Sequence, residues 1–113
     1  DENADTVKRF VRATMKGLEF AFANTEETLD VIMKFAENEN REHQRFMLLT
    51  EIENAASPLT DSNGLGWMTA QQWKEFQDSL LQYGALEGST DVNLAFTDRF
   101  LEGIYDNGKL EWP

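Results

Sequence analysis

Residues 5–25 read DTVKRFVRATMKGLEFAFANT, and the spacing of the apolar side chains in this stretch decides the fold class. Val7, Phe10, Val11, Met15, Leu18, Ala21 and Phe22 recur at steps of three and four. That spacing returns side chains to one face of a helix, whereas a strand needs strict alternation. The stretch therefore predicts an amphipathic helix over 5–24. Gly17 lies inside it and costs about 1 kcal/mol relative to Ala, a loss the flanking apolar residues are placed to offset.

The same period continues outward. Asn24 or Thr25 reads as a cap, with Glu26 and Glu27 favouring the positive end of a second helix over 26–37 that buries Leu29, Ile32, Met33 and Ala36. Residues 37–40 are all polar and read as a turn. A third helix over 41–56 carries Phe46, Leu48, Leu49, Ile52 and Ala55, and Ser57-Pro58 ends it, because the residue before Pro avoids helical geometry. A linker over 57–68 has turn chemistry in Asp61-Ser62-Asn63-Gly64 and Gly66.

Thr69 and Gln72 then form a capping box opening a fourth helix over 69–83, which buries Trp73, Phe76, Leu80 and Leu81 and stops at Gly84. Val92, Ala95, Phe96, Arg99 and Phe100 predict a fifth helix over 91–104. Residues 105–113 form a short hairpin or a loose tail around Asn107-Gly108, with Leu110 to Trp112 pairing weakly. The expectation is all-α: one helical domain over 1–113, about five amphipathic helices in a small bundle, with no internal repeat.

Composition bounds the function. The chain has 113 residues, enough for one domain, and a formal net charge of -11, which repels nucleic acid and anionic lipid. Apolar residues at 41%, with eight Phe, three Trp and two Tyr, supply a modest core. With no Cys, disulfides, thiol nucleophiles and thiolate metal sites are excluded. No apolar run is long enough to insert in a membrane, and Asp1 to Asp5 lacks the features of a signal peptide, so the expectation is a cytosolic chain or a processed or truncated one.

Catalytic chemistry has little to draw on. His43 is the single histidine and reads as solvated. Asp61-Ser62-Asn63-Gly64 superficially resembles a calcium loop, but Leu65 and Gln72 fall where the fifth and twelfth ligands belong, so it reads as a polar turn. Glu26 with Glu27, and Glu51 with Glu53, do not face one another on a helix. No catalytic residue, metal or cofactor is expected, and the chain reads as a non-enzyme. Trp67, Trp73, Phe76 and Tyr83 are the candidate ligand or interface residues, because aromatic faces stack on planar ligands and anchor partners. Trp73 and Phe76 equally suit a core, and Trp67, outside the helix, is open to either role.

The order of several segments resembles the C-terminal part of periplasmic substrate-binding proteins of ABC importers, in the group that binds thiamine pyrimidine precursors or alkylsulfonates. The likeness runs through Phe10–Ala21, Ala23–Asp30, Arg41-Glu42-His43-Gln44, Gly66-Trp67-Met68-Thr69, Gln72-Trp73, Asp91-Val92 and Phe96–Leu101. Thr25 departs from the family's usual Pro. The resemblance implies helices that normally pack against a sheet-containing lobe, with most ligand contacts in segments preceding this one. Related pyrimidine synthases use a Cys-rich motif that this chain lacks, which again implies a non-enzyme.

Two functions follow as expectations. One is a helical protein or excised segment of such a binding protein, acting by self-association or partner binding, as a homodimer through an apolar helix face. The other is a module with a pocket between helices for a small pyrimidine-like or alkylsulfonate-like molecule. The location is periplasmic for a fragment or mature product of the family, and cytoplasmic otherwise.

Overall fold

The computed structural model describes residues 2–36 and 39–113. Among these residues five helices carry the fold: α1 (Ala4–Ala23), α2 (Thr25–Phe35), α3 (Arg41–Ala55), α4 (Pro58–Asn63) and α5 (Ala70–Gln82). A 3-10 turn at Val92–Leu94 follows, and β1 (Tyr105–Asp106) pairs antiparallel with β2 (Lys109–Leu110). The mostly helical class read from the sequence is the class observed. Helices one, two, three and the one after the linker fall within two residues of their predicted bounds, although Glu37 and Asn38, and the part of the polar turn predicted there, lie outside the described residues.

Several local readings need correction. Neither Asn24 nor Thr25 caps α2 with its side chain. Asn24 occupies the cap position, but its Nδ2 donates backward to the Phe20 carbonyl oxygen at 2.9 Å. The linker contains α4, because Pro58 both ends α3 and, with its φ already set, starts the next helix at its first turn. Ser57 completes that start: its Oγ accepts from Thr60 N at 3.1 Å while Thr60 Oγ1 accepts from Ser57 N at 3.0 Å.

The predicted fifth helix over 91–104 does not form. Asp91 Oδ1 accepts from Asn93 N at 3.0 Å, and Thr97 Oγ1 accepts from Arg99 N at 3.4 Å. These short side-chain turns give the backbone an alternative to the helical ladder, and Gly103 at φ +71 turns the chain again. Phe96, Leu101 and Ile104 are thereby released from one helical face.

Residues 105–110 form the hairpin alternative, and Glu111 N extends its pairing by donating to the Ile104 carbonyl oxygen at 2.8 Å. Asn107 and Gly108 have φ of 47 and 74, the left-handed pair that a two-residue hairpin turn requires. The hairpin works as a clasp. Tyr105 Oη donates to the Leu65 carbonyl oxygen at 3.0 Å, and Arg12 Nη2 on α1 donates to the Gly103 carbonyl oxygen at 3.4 Å. Gly64, at φ +100, ends α4 so close to the Tyr105 ring that a Cβ there would overlap it.

Arg41 ties α3 to α2, with Nη1 at 2.7 Å from Asp30 and Nη2 at 3.2 Å from Glu26, which also pairs with Arg45. Its guanidinium is held more firmly protonated than usual, by Asp30 first and then Glu26.

The core is small. Leu29, Leu101 and Ile104 are the buried apolar residues among those described, and α1 has none. Phe76, read from the sequence as buried, is 57% exposed, because the segment that returns along its helical face around Val92–Leu94 leaves its ring uncovered. The chain exposes 8340 Å², about 2,000 Å² more than the roughly 6,300 Å² of a compact protein of this mass. Its radius of gyration, 16.8 Å, likewise exceeds the roughly 13 Å of a compact domain of this length.

Candidate functional site

The capping box at the start of α5 builds the site. Thr69 Oγ1 accepts from Gln72 N at 3.2 Å, and Gln72 Oε1 accepts from Thr69 N at 2.8 Å. This reciprocal pair, legible in the sequence, fixes the first turn of α5 and holds Gln72 Oε1 at the helix end. The Gln72 Nε2 remains as a donor. At the other end Gly84 N donates to the Leu81 carbonyl oxygen and Ala85 N to that of Leu80, closing the helix with Gly84 at φ +72.

Trp73 is the centre of the site. Its ring lies face to face with Phe96 at 5.7 Å between centroids and 10° between planes, and edge to face with Phe76 at 6.4 Å and 80°. Both arrangements suit aromatic quadrupoles. Beside them lies an open cleft of about 260 Å³ lined by Met68, Gln72, Trp73 and Phe76. A second hollow of about 140 Å³ shares Trp73 and Phe76 and adds Gln77, Leu80, Leu86, Thr90, Val92 and Ala95. The walls are almost wholly apolar, so the site favours a flat apolar surface with hydrogen bonds at its edge.

The return segment is held over this hollow by a residue that sequence reasoning missed. Gln77 is 9% exposed, and its Oε1 accepts from Thr90 N at 2.7 Å. Buried amide groups need such partners, which is why a Gln occupies a position on an otherwise apolar face. Phe96 was legible only as part of a helical stripe, and its stacking on Trp73 depends on the non-helical course of 91–104.

Of the four candidate residues, the structure brings Trp73 and Phe76 together and leaves the other two apart. Trp67 is half-buried with its Nε1 enclosed and without a hydrogen-bond partner, and it does not line the cleft. Tyr83 is 83% exposed at the end of α5, outside both hollows. His43 is exposed in the first turn of α3, where its backbone N donates to Asn40 Oδ1 at 3.1 Å. Asp61, Ser62 and Asn63 lie in the α4 helix, so they do not form the open loop a calcium ion needs.

No protein-family model matches the chain, and no solved structure matches it. It is similar to the riboflavin-binding protein RibY of Chloroflexus aurantiacus, with 31% identity over 105 residues and 90% of this chain covered. The chain spans 30% of the length of that relative.

Proposed function

We propose that this chain is a non-catalytic, helical part of an importer-type solute-binding protein acting in the periplasm, and that its α5 cleft receives one face of a planar heteroaromatic molecule of the flavin type. The observation that carries the reading is the Trp73 ring, stacked on Phe96 and flanked by Phe76 at the edge of an open apolar cleft. Stacking and burial of a flat ring supply the affinity, and Gln72 Nε2 at the rim suits a ring carbonyl or nitrogen acceptor.

The name of the relative, a riboflavin-binding protein, supports a ligand of this shape. The resemblance of Gly66-Trp67-Met68-Thr69 and Gln72-Trp73 to importer binding proteins supports the same general role. At about 260 Å³ the cleft falls below the roughly 300–1,000 Å³ that enclose a ligand of drug size. This chain therefore covers part of the ligand, and further polypeptide supplies the remaining contacts.

Riboflavin titrated into the chain tests the reading, with flavin and tryptophan fluorescence as signals. Saturable quenching is expected, weakened at least tenfold in Phe76→Ala, whose exposed side chain leaves the fold intact when removed. A thermal-shift panel of riboflavin, pyrimidines, thiamine precursors and alkylsulfonates ranks the ligand classes, because a ligand selective for the folded state raises the midpoint. Absence of both quenching and shift across that panel refutes the proposal.

A further inference from the structure

The sequence holds two Asn-Gly pairs, Asn63-Gly64 and Asn107-Gly108. This dipeptide readily loses its side-chain amide, because glycine, lacking a Cβ, leaves its own backbone nitrogen unshielded for attack on the preceding asparagine side chain. The fold gives the two pairs opposite surroundings. Asn63 closes α4, and Gly64 N donates to the Thr60 carbonyl oxygen at 2.8 Å. To become a nucleophile that nitrogen must give up its hydrogen bond, and α4 its last turn.

At the hairpin tip Asn107 is exposed, and Gly108 N has no acceptor among the described residues. The two-residue turn is the reason: the ladder runs through the pairs Tyr105–Leu110 and Asp106–Lys109, which leaves the Gly108 amide outside it. The side-chain amides do not separate the sites. Asn63 Nδ2 donates to the Leu59 carbonyl oxygen at 3.0 Å, and Asn107 Nδ2 to Asp106 Oδ1 at 2.9 Å. The difference lies in the nucleophile.

We propose that Asn107 is a self-modification site, where the hairpin tip deamidates while Asn63 is protected, and that the modification loosens the C-terminal clasp. The Gly108 nitrogen, its proton lost to solvent base, attacks Asn107 Cγ. The new N–Cγ bond closes a cyclic imide, and the Cγ–Nδ2 bond breaks to release ammonia. Water then opens either imide carbonyl, leaving aspartate on the original backbone or isoaspartate, whose backbone runs through the side-chain carbon. Isoaspartate lengthens a turn built for two residues, so the Asp106–Lys109 pair no longer closes. Aspartate keeps the backbone but sets a second carboxylate where Asp106 had a donor. Room for adjustment is small, since a Cβ on Gly108 would lie 2.9 Å from the Asp61 carbonyl oxygen. Both products therefore weaken the hairpin whose Tyr105 holds Leu65, and with it the loop that brings Met68 to the cleft.

Ageing of the full chain in mildly alkaline buffer tests the proposal, because base removes the amide proton. Trypsin separates the two sites onto peptides 46–74 and 100–109, and mass spectrometry reads the conversion of amide to acid in each. In the folded chain Asn107 is expected to convert at least tenfold faster than Asn63, with the two rates converging in urea. The aged fraction, resolved by ion exchange through its extra negative charge, is expected to melt below the parent. Asn107→Gly removes the amide and keeps a Gly-Gly pair suited to the turn, so its melting is expected to hold on ageing. Equal rates in the folded chain, a faster Asn63, or an Asn107 that stays intact while the denatured chain converts each overturn the proposal. An aged fraction that melts with the parent does so too. The reaction involves no ligand, so its outcome is independent of the flavin titration.

Discussion

The Tyr105 hydroxyl donates to the Leu65 carbonyl oxygen at 3.0 Å across forty positions of sequence, fastening the C-terminal hairpin to the loop between α4 and α5. Removing that hydroxyl with Tyr105→Phe is expected to lower stability by about 1 kcal/mol, the usual net value of one such bond. Gly64→Ala is expected to do more, about 2 kcal/mol or above, because it combines a left-handed backbone with overlap against the Tyr105 ring. Urea denaturation of the two variants beside the parent checks the order.

The same phenol sets an alkaline limit. Burial, with the Glu19 carboxylate adding to it, pushes Tyr105 up to about 12 from its ordinary 10.0. The folded state therefore holds this proton more tightly than the unfolded chain, and the contribution is complete below pH 10 and disappears as pH rises through about 12. Phenolate absorbance in Tyr83→Phe, which leaves Tyr105 as the single tyrosine, is expected to titrate together with loss of helical signal.

Both capping boxes should be separately measurable. Ser57→Ala and Thr69→Ala each free amides at a helix start, at about 1 kcal/mol apiece. They touch different helices, so a double variant is expected to show the sum within experimental scatter in thermal melts.

Gln77→Ala is expected to release the segment over the α5 hollow. The Thr90 amide loses its acceptor, which costs about 1–2 kcal/mol for a part-buried donor. Hydrogen exchange at Thr90 should accelerate before any change appears in the amides of α1.

Arg41→Ala is expected to lower the melting temperature at low salt, with the difference shrinking as salt rises. Its pairs with Glu26 and Asp30 are exposed to solvent, where screening is effective.

What the sequence made legible depended on the range of the forces involved. The helices at 4–23, 25–35, 41–55 and 70–82 rest on periodicity and local stops, and the Thr69–Gln72 box on a three-residue spacing. Pro58 was ambiguous because one ring both ends a helix and begins another. The stretch 91–104 has helical periodicity, but Asp91 and Thr97 divert its backbone into turns. At the site, Trp73 and Phe76 share a helix face and could be paired in advance. Phe96 and Gln77 enter through tertiary contacts to a return segment, while Tyr83 falls just past the last turn, where the helix direction no longer aims it inward.

The clasp between Arg12 and Gly103 spans 91 positions, and that distance becomes time when the chain is synthesised. At a ribosome's pace of about 5–20 residues per second, α1 emerges roughly 5–20 s before the segment that clasps it. For that interval the side of α1 that Gly66, Leu65 and Gly103 later meet stands open to solvent.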